Sequence, residues 1–257
     1  MIDVHCHLES PEYNSDREHV IRKCRKELNA VITSCAHPND FQLTMKMAND
    51  HKGFVFPAVG LHPEFIKEIN WKSLDDYFDQ IKADADKIVS IGEVGLDYFW
   101  VKEHEWQQKE KDLFIQIIRF AKELDKPLTV HSRDAYEDVV KVLEQEDAKQ
   151  VHLHLFGDNQ LVNRIVENGW YVSIGPVILS SKKHYKIVRD MPIERLLLET
   201  DAPWNHPKIF TDHVKERNEP INVRAVAEKI AEIKGVSFDY VDAITTQNSV
   251  NLFRLKE

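Results

Sequence analysis

Eight short apolar runs, each followed by a stretch of helical periodicity, constrain this 257-residue chain more than any other feature. The runs span residues 2–8, 30–33, 54–59, 88–91, 128–131, 151–156, 170–174 and 195–199. Between them the spacing of apolar side chains predicts helices over 16–28, 40–50, 71–87, 105–124, 136–143, 159–168 and 180–189. Two closing helices are expected at 223–234 and 238–253. Neighbouring parallel strands need a crossover between them, and a helix supplies it, so strict alternation implies a parallel sheet. A count of eight predicts an α/β chain closed as a (β/α)8 barrel. An open doubly wound sheet would carry a Gly-rich phosphate turn after an early strand, and this chain has none. With no repeat, low-complexity tract or linker, residues 1–257 read as a single domain.

The first run carries chemistry as well as pattern. Ile2-Asp3-Val4-His5-Cys6-His7-Leu8 alternates with period two, so Asp3, His5 and His7 are expected on one face and Val4, Cys6 and Leu8 on the other. Two imidazoles roughly 7 Å apart along a strand can close on one metal ion if the strand end twists. In a barrel of this kind the reacting groups sit at the C-terminal strand ends. Those ends carry His5 and His7, His62, Glu93, His131, His152 and His154, and Asp201. Each has an ordinary reading alone, as a cap or a core histidine, but six strand ends bringing such groups to one rim point to a metal centre.

The donors suffice for two ions, with His5, His7 and Asp201 on one, His131 and His154 on the other, and Glu93 bridging. His154 is preferred to His152 because it lies nearer the strand's C-terminal end. Imidazoles mixed with carboxylates suit zinc, manganese or another first-row divalent ion; fewer imidazoles would suit magnesium. Asp201 is placed to take the proton from an attacking water.

Composition narrows the class. The chain is 42% hydrophobic and 30% charged, has no apolar run of roughly 20 residues, and begins without a signal-peptide pattern. A cytoplasmic protein without a membrane partner is the expectation. Cys6, Cys24 and Cys35 form no paired motif, so neither a disulfide framework nor a zinc ribbon is implied. A formal charge of −9 argues against coating nucleic acid with a broad basic surface, but not against nucleic acid as a substrate.

Motif order then points to a family. Asp3-Val4-His5-Cys6-His7-Leu8, Gly60-Leu61-His62-Pro63, Gly92-Glu93-Val94-Gly95-Leu96-Asp97-Tyr98 and His131-Ser132-Arg133-Asp134-Ala135 occur in sequence. Glu199-Thr200-Asp201-Ala202-Pro203, Arg217-Asn218-Glu219-Pro220 and Asn248-Ser249-Val250-Asn251-Leu252-Phe253 follow. Over nearly its whole length the chain resembles the TatD family of metal-dependent deoxyribonucleases, within the amidohydrolase-like barrels. The resemblance implies hydrolysis of DNA, often as a 3′→5′ exonuclease, with single-stranded or frayed ends as substrate. It implies His5, His7, Glu93, His131, His154 and Asp201 as ligands of two divalent ions (magnesium, manganese or zinc), with Asp201 and Glu93 catalytic.

It also implies that His62 and Arg133 contact substrate phosphate. Arg133 has the planar fork for that, although an ion pair to Asp134 or a nearby acid is the plainer alternative. Two stretches depart from the family pattern. His154-Leu155-Phe156-Gly157-Asp158 replaces the usual His-Cys-Phe-Ser-Gly, and residues 204–216 carry no family motif. In the latter, Trp204 is open to two readings, stacking on an unpaired base or packing the rim. The competing function is an amidohydrolase-type hydrolase of a non-nucleic-acid ester, lactone or amide; Glu93 stands where a carboxylated lysine would be wanted, which disfavours it. A non-catalytic interaction protein has no use for the full donor set, and no protein partner is evident.

Overall fold

The computed structural model describes residues 1–205 and 217–255. Eight parallel strands stand in chain order: β1 (Ile2–Cys6), β2 (Ala30–Cys35), β3 (Val55–Val59), β4 (Ser90–Asp97), β5 (Leu128–Arg133), β6 (Val151–Leu153), β7 (Tyr171–Ile174) and β8 (Leu196–Leu198). The ends of the sheet meet where Asp201 N donates to His5 O at 2.9 Å and His7 N to Ala202 O at 2.7 Å. The result is a (β/α)8 barrel. Its helices are α1 (Arg17–Cys24), α2 (Phe41–Asp50), α3 (Leu74–Ala83), α4 (His104–Glu123), α5 (Tyr136–Gln145), α6 (Val162–Glu167), α7 (Lys182–Asp190), α8 (Val223–Lys234) and α9 (Phe238–Phe253). Among the described residues no helix is long and apolar enough to cross a membrane.

Local chemistry explains the element ends. α4 buries Leu113, Phe114, Ile117, Ile118 and Ala121 at helical spacing and stops before Lys126-Pro127. α8 is closed by Gly235 in the left-handed region at φ 66°. Ser237 caps α9 by accepting from Tyr240 N.

Two apolar clusters divide the interior. The larger lies between strands and helices. The smaller joins Ile2, Val4, Ala30, Ile32, Ala58 and Leu197 to Leu252 and Phe253, so the last turn of α9 plugs the barrel at the strand starts. The opposite end is left to polar groups.

Several boundaries depart from the sequence expectation. The alternation in β1 breaks: one extra residue bulges between Asp3 and Cys6 against β2. Ile2 and Val4 therefore belong to the smaller cluster, while Cys6 and Leu8 belong to the larger. Asp3 does not join His5 and His7 at the site; it accepts from Thr200 Oγ1 at 2.6 Å and Thr200 N at 3.1 Å. β4 runs on through the Glu93 motif to Asp97 because β5 pairs along it. β6 stops at Leu153, since Leu155 turns the chain at φ 43°. The expected helix over 159–168 divides into a 3-10 turn, Asn159–Leu161, and α6. The helices expected over 16–28 and 71–87 are shorter, as α1 and α3.

Candidate metal centre

Six strand ends deliver their polar side chains to one buried cluster, and Glu93 stands at its middle. Glu93 Oε2 lies 3.4 Å from His5 Nε2 and 3.5 Å from His7 Nε2. Asp201 Oδ1 lies 3.6 and 3.4 Å from the same two nitrogens, which are 3.1 Å from each other. The other carboxylate oxygen, Glu93 Oε1, faces His131 Nδ1 at 2.9 Å, His62 Nε2 at 3.4 Å and His154 Nε2 at 3.5 Å. Every one of these side chains except His131 and Asp201 is buried, and those two are only slightly exposed.

The spacing fits cations. A first-row ion with bonds of about 2.0–2.2 Å sets its ligand atoms roughly 3–3.6 Å apart, the range seen around each oxygen of Glu93. Two donor groups result, His5, His7 and Glu93 on one side and Glu93, His131 and His154 on the other. Asp201 adds to the first. His62 approaches Glu93 as closely as His154 does, so distance alone does not separate it from the ligand set. Its ring also meets that of His131 at 4.3 Å between centroids, and together with Asp97 and His131 it forms a further donor group. His152 stays outside these groups, bonded to Ser173 Oγ at 2.6 Å and, more weakly, to Thr129.

Charge supports the same reading. Burial alone would raise the Glu93 carboxyl, but the imidazoles of His62, His5 and His154 and the bond from His131 hold it well below the usual carboxylate range. Asp201 behaves alike: burial opposes ionisation, and the bond from His7 with the charges of His154 and His5 overcomes it. Two anionic carboxylates among imidazoles make a donor set of the right chemistry for a divalent ion.

A family model described as TatD related DNase matches residues 2–254. The chain belongs to the TatD-related DNase family. It is 34% identical over 98% of its length to a human protein named deoxyribonuclease TATDN3, covering 94% of that protein. It is 36% identical to an uncharacterized metal-dependent hydrolase, YabD, of Bacillus subtilis strain 168, with 99% of each chain covered. Among solved structures, the TatD homologue YJJV from Escherichia coli k12 superposes with a TM-score of 0.88 at 24% identity, covering 100% of this chain and 98% of that one. That likeness establishes the shared fold.

In this TatD chain four of the five clustered histidines are held from behind by a side chain that sequence reasoning assigned no role. His7 Nδ1 donates to Glu9 Oε1 at 3.0 Å, and Glu9 in turn accepts from Thr33 Oγ1. His5 Nδ1 pairs with Ser34 Oγ at 3.1 Å. His131 Nε2 donates to Asp97 Oδ2 at 3.0 Å, and His154 Nδ1 to Glu199 Oε2 at 3.0 Å. Such partners fix tautomer and ring orientation. The available signal was proximity in sequence: Glu9 lies two residues after His7, Asp97 four after Glu93, and Glu199 two before Asp201.

Arg133 is exposed and, among the described residues, pairs with no carboxylate; the Asp134 alternative is not formed. Its guanidinium lies 3.8 Å from the centroid of Phe99. In the altered sixth motif, Leu155 N donates to Glu199 Oε1 at 2.9 Å, and the added acid Asp158 turns away to cap the following 3-10 turn through Gln160 N. Residues His206, Lys208, His213 and Lys215 of the unmatched stretch lie outside the described residues.

Proposed function

We propose that this chain, a hydrolase of the TatD family, cleaves phosphodiester bonds of DNA at its ends in the 3′→5′ direction, using two divalent ions. The observation that carries the reading is the division of Glu93: one oxygen among His5, His7 and Asp201, the other among His131, His154 and His62. A single carboxylate shared between two donor sets is what a bridged pair of ions requires. His5, His7 and Asp201 hold one ion, His131 and His154 the other. When bound, the ions supply Lewis acidity and neutralise charge on the phosphate. Asp201, at the edge of the cluster and partly open to the pocket, takes the proton of the attacking water. Arg133 and His62 face the same pocket and orient the phosphate, Arg133 with a fork that pairs with no carboxylate among the described residues. Direction and DNA preference follow the family.

The test uses metal-stripped protein on single-stranded DNA labelled at its 3′ or its 5′ end, with magnesium, manganese and zinc restored separately. Stepwise shortening from the 3′ end is expected only with metal. Asp201→Asn should lower turnover by roughly 10³-fold or more with an unchanged circular dichroism spectrum. Inert DNA alongside turnover of an aryl ester, lactone or cyclic amide would overturn the reading in favour of an amidohydrolase.

A further inference from the structure

Exposed large apolar side chains are informative where they gather. Two of them, Trp100 and Trp204, line the cavity of about 520 Å³ that opens over the donor cluster, and a third, Phe99, packs against Trp100. Trp100 is 57% exposed and Trp204 47%, and both line that cavity. Trp100 follows β4 and Trp204 follows β8, strands four places apart in a ring of eight, so the two residues reach the cavity from loops on opposite sides of the barrel. Each is anchored to a group of the site. The Trp204 ring lies 4.6 Å from that of His7, and Arg133 lies within 5.6 Å of Trp100 while resting on Phe99.

The charge around the cavity is wrong for a polyanion held by ion pairs. Among its described lining residues Arg133 is the only lysine or arginine, while Glu9, Asp40 and Glu64 face the same space. With a formal chain charge of −9, release of counterions from many phosphates cannot supply the affinity. Indole faces can, because every base offers a flat surface and stacking does not depend on phosphate charge. A paired duplex hides those surfaces, whereas an unpaired end offers them.

We propose that Trp100 and Trp204 are two stacking platforms that grip the unpaired bases on either side of the reacting phosphate and so select single-stranded ends. The proposal rests on the phosphodiesterase reading above and names the residues that hold its substrate's bases. Trp100 holds a base beside the fork of Arg133; Trp204 holds one beside His7.

The test pairs Trp100→Ala and Trp204→Ala with a single-stranded oligodeoxynucleotide and with the same strand abasic at its last two positions. Each alanine variant should raise KM for the intact strand about tenfold. Trp→Phe at either position should restore most of it. Wild-type protein should lose both factors, about a hundredfold, on the doubly abasic strand, where each single alanine variant should show the same KM as wild type. Equal losses for the variants on both strands, or unchanged KM, would overturn the platforms while leaving DNA hydrolysis intact. Quenching of tryptophan fluorescence by the intact strand in chelator reads binding without turnover. Weaker binding of an end-labelled intact strand by the variants in chelator, read by fluorescence polarisation in a protein that cleaves no DNA, would keep the platforms and remove the phosphodiesterase. No quenching in wild type would overturn the platforms directly.

Discussion

Glu199 is fully buried between two histidines, reaching His154 directly and His152 through Ser173, whose hydroxyl donates to Glu199 Oε2 at 2.6 Å. Its role is to hold the His154 ring toward Glu93. Glu199→Gln should therefore weaken metal affinity or turnover roughly 10- to 100-fold without unfolding the chain, as read by metal competition and by rate. Glu110 of α4 is a different buried acid. Its Oε1 has no partner among the described residues, its Oε2 receives only a long bond from Asp97 N at 3.4 Å, and burial pushes its carboxyl up to about 8. The folded chain thus keeps the proton in a window where the unfolded chain, titrating near the ordinary glutamate value, has lost it. Stability from this group is complete below about pH 4.5 and falls as pH rises toward 8. Glu110→Gln should be more stable than wild type at pH 8.5 by roughly a few kcal/mol, with the difference vanishing near pH 4. Denaturant unfolding at the two pH values checks it.

At the scale of elements, β4 depends on close approach to β5. A Cβ on Gly95 would meet His131 O at 2.1 Å, and its φ of 144° is one that side chains rarely adopt. Gly95→Ala should cost roughly 3 kcal/mol or more in a denaturant titration, because both the contact and the backbone oppose it. Strand starts were readable from apolar runs, but most strand ends were not; those of β3 and β7 fall where the runs stop. Whether residues 92–97 extend as strand is decided by hydrogen bonds from β5, which are distant in sequence. The bulge in β1 has the same origin. Period two continued past Val4 would have turned His5 and His7 away from the cavity, and the extra residue reverses that phase.

The molecule as a whole brings together donors from residue 5 to residue 201 only because the first and last strands close on each other. Bound divalent ions should therefore stabilise the closed barrel by mass action. At a free metal concentration 100 times Kd, the gain is about 2.7 kcal/mol. For a chain of this size that raises the thermal midpoint by roughly 5–10 °C over chelated protein. His5→Ala should lose most of the shift, and differential scanning calorimetry with and without metal measures both. The same closure brings Trp100 and Trp204, two of the three exposed tryptophans, to one cavity at the same rim, a relation with no trace in their separation along the chain.

The amino-acid sequence by itself determined the eightfold strand–helix alternation, the family motifs and the identities of the candidate donors. Periodicity and residue chemistry are local properties, readable wherever neighbouring side chains report the face they occupy. Only the tertiary structure decided that Asp3 turns away to Thr200 and that His62 stands as near Glu93 as His154. It alone showed which residues brace four of the clustered histidines, and that Arg133 lies on Phe99 free of any described carboxylate. Those are relations between strands, fixed by register and barrel closure, and no single segment contains them.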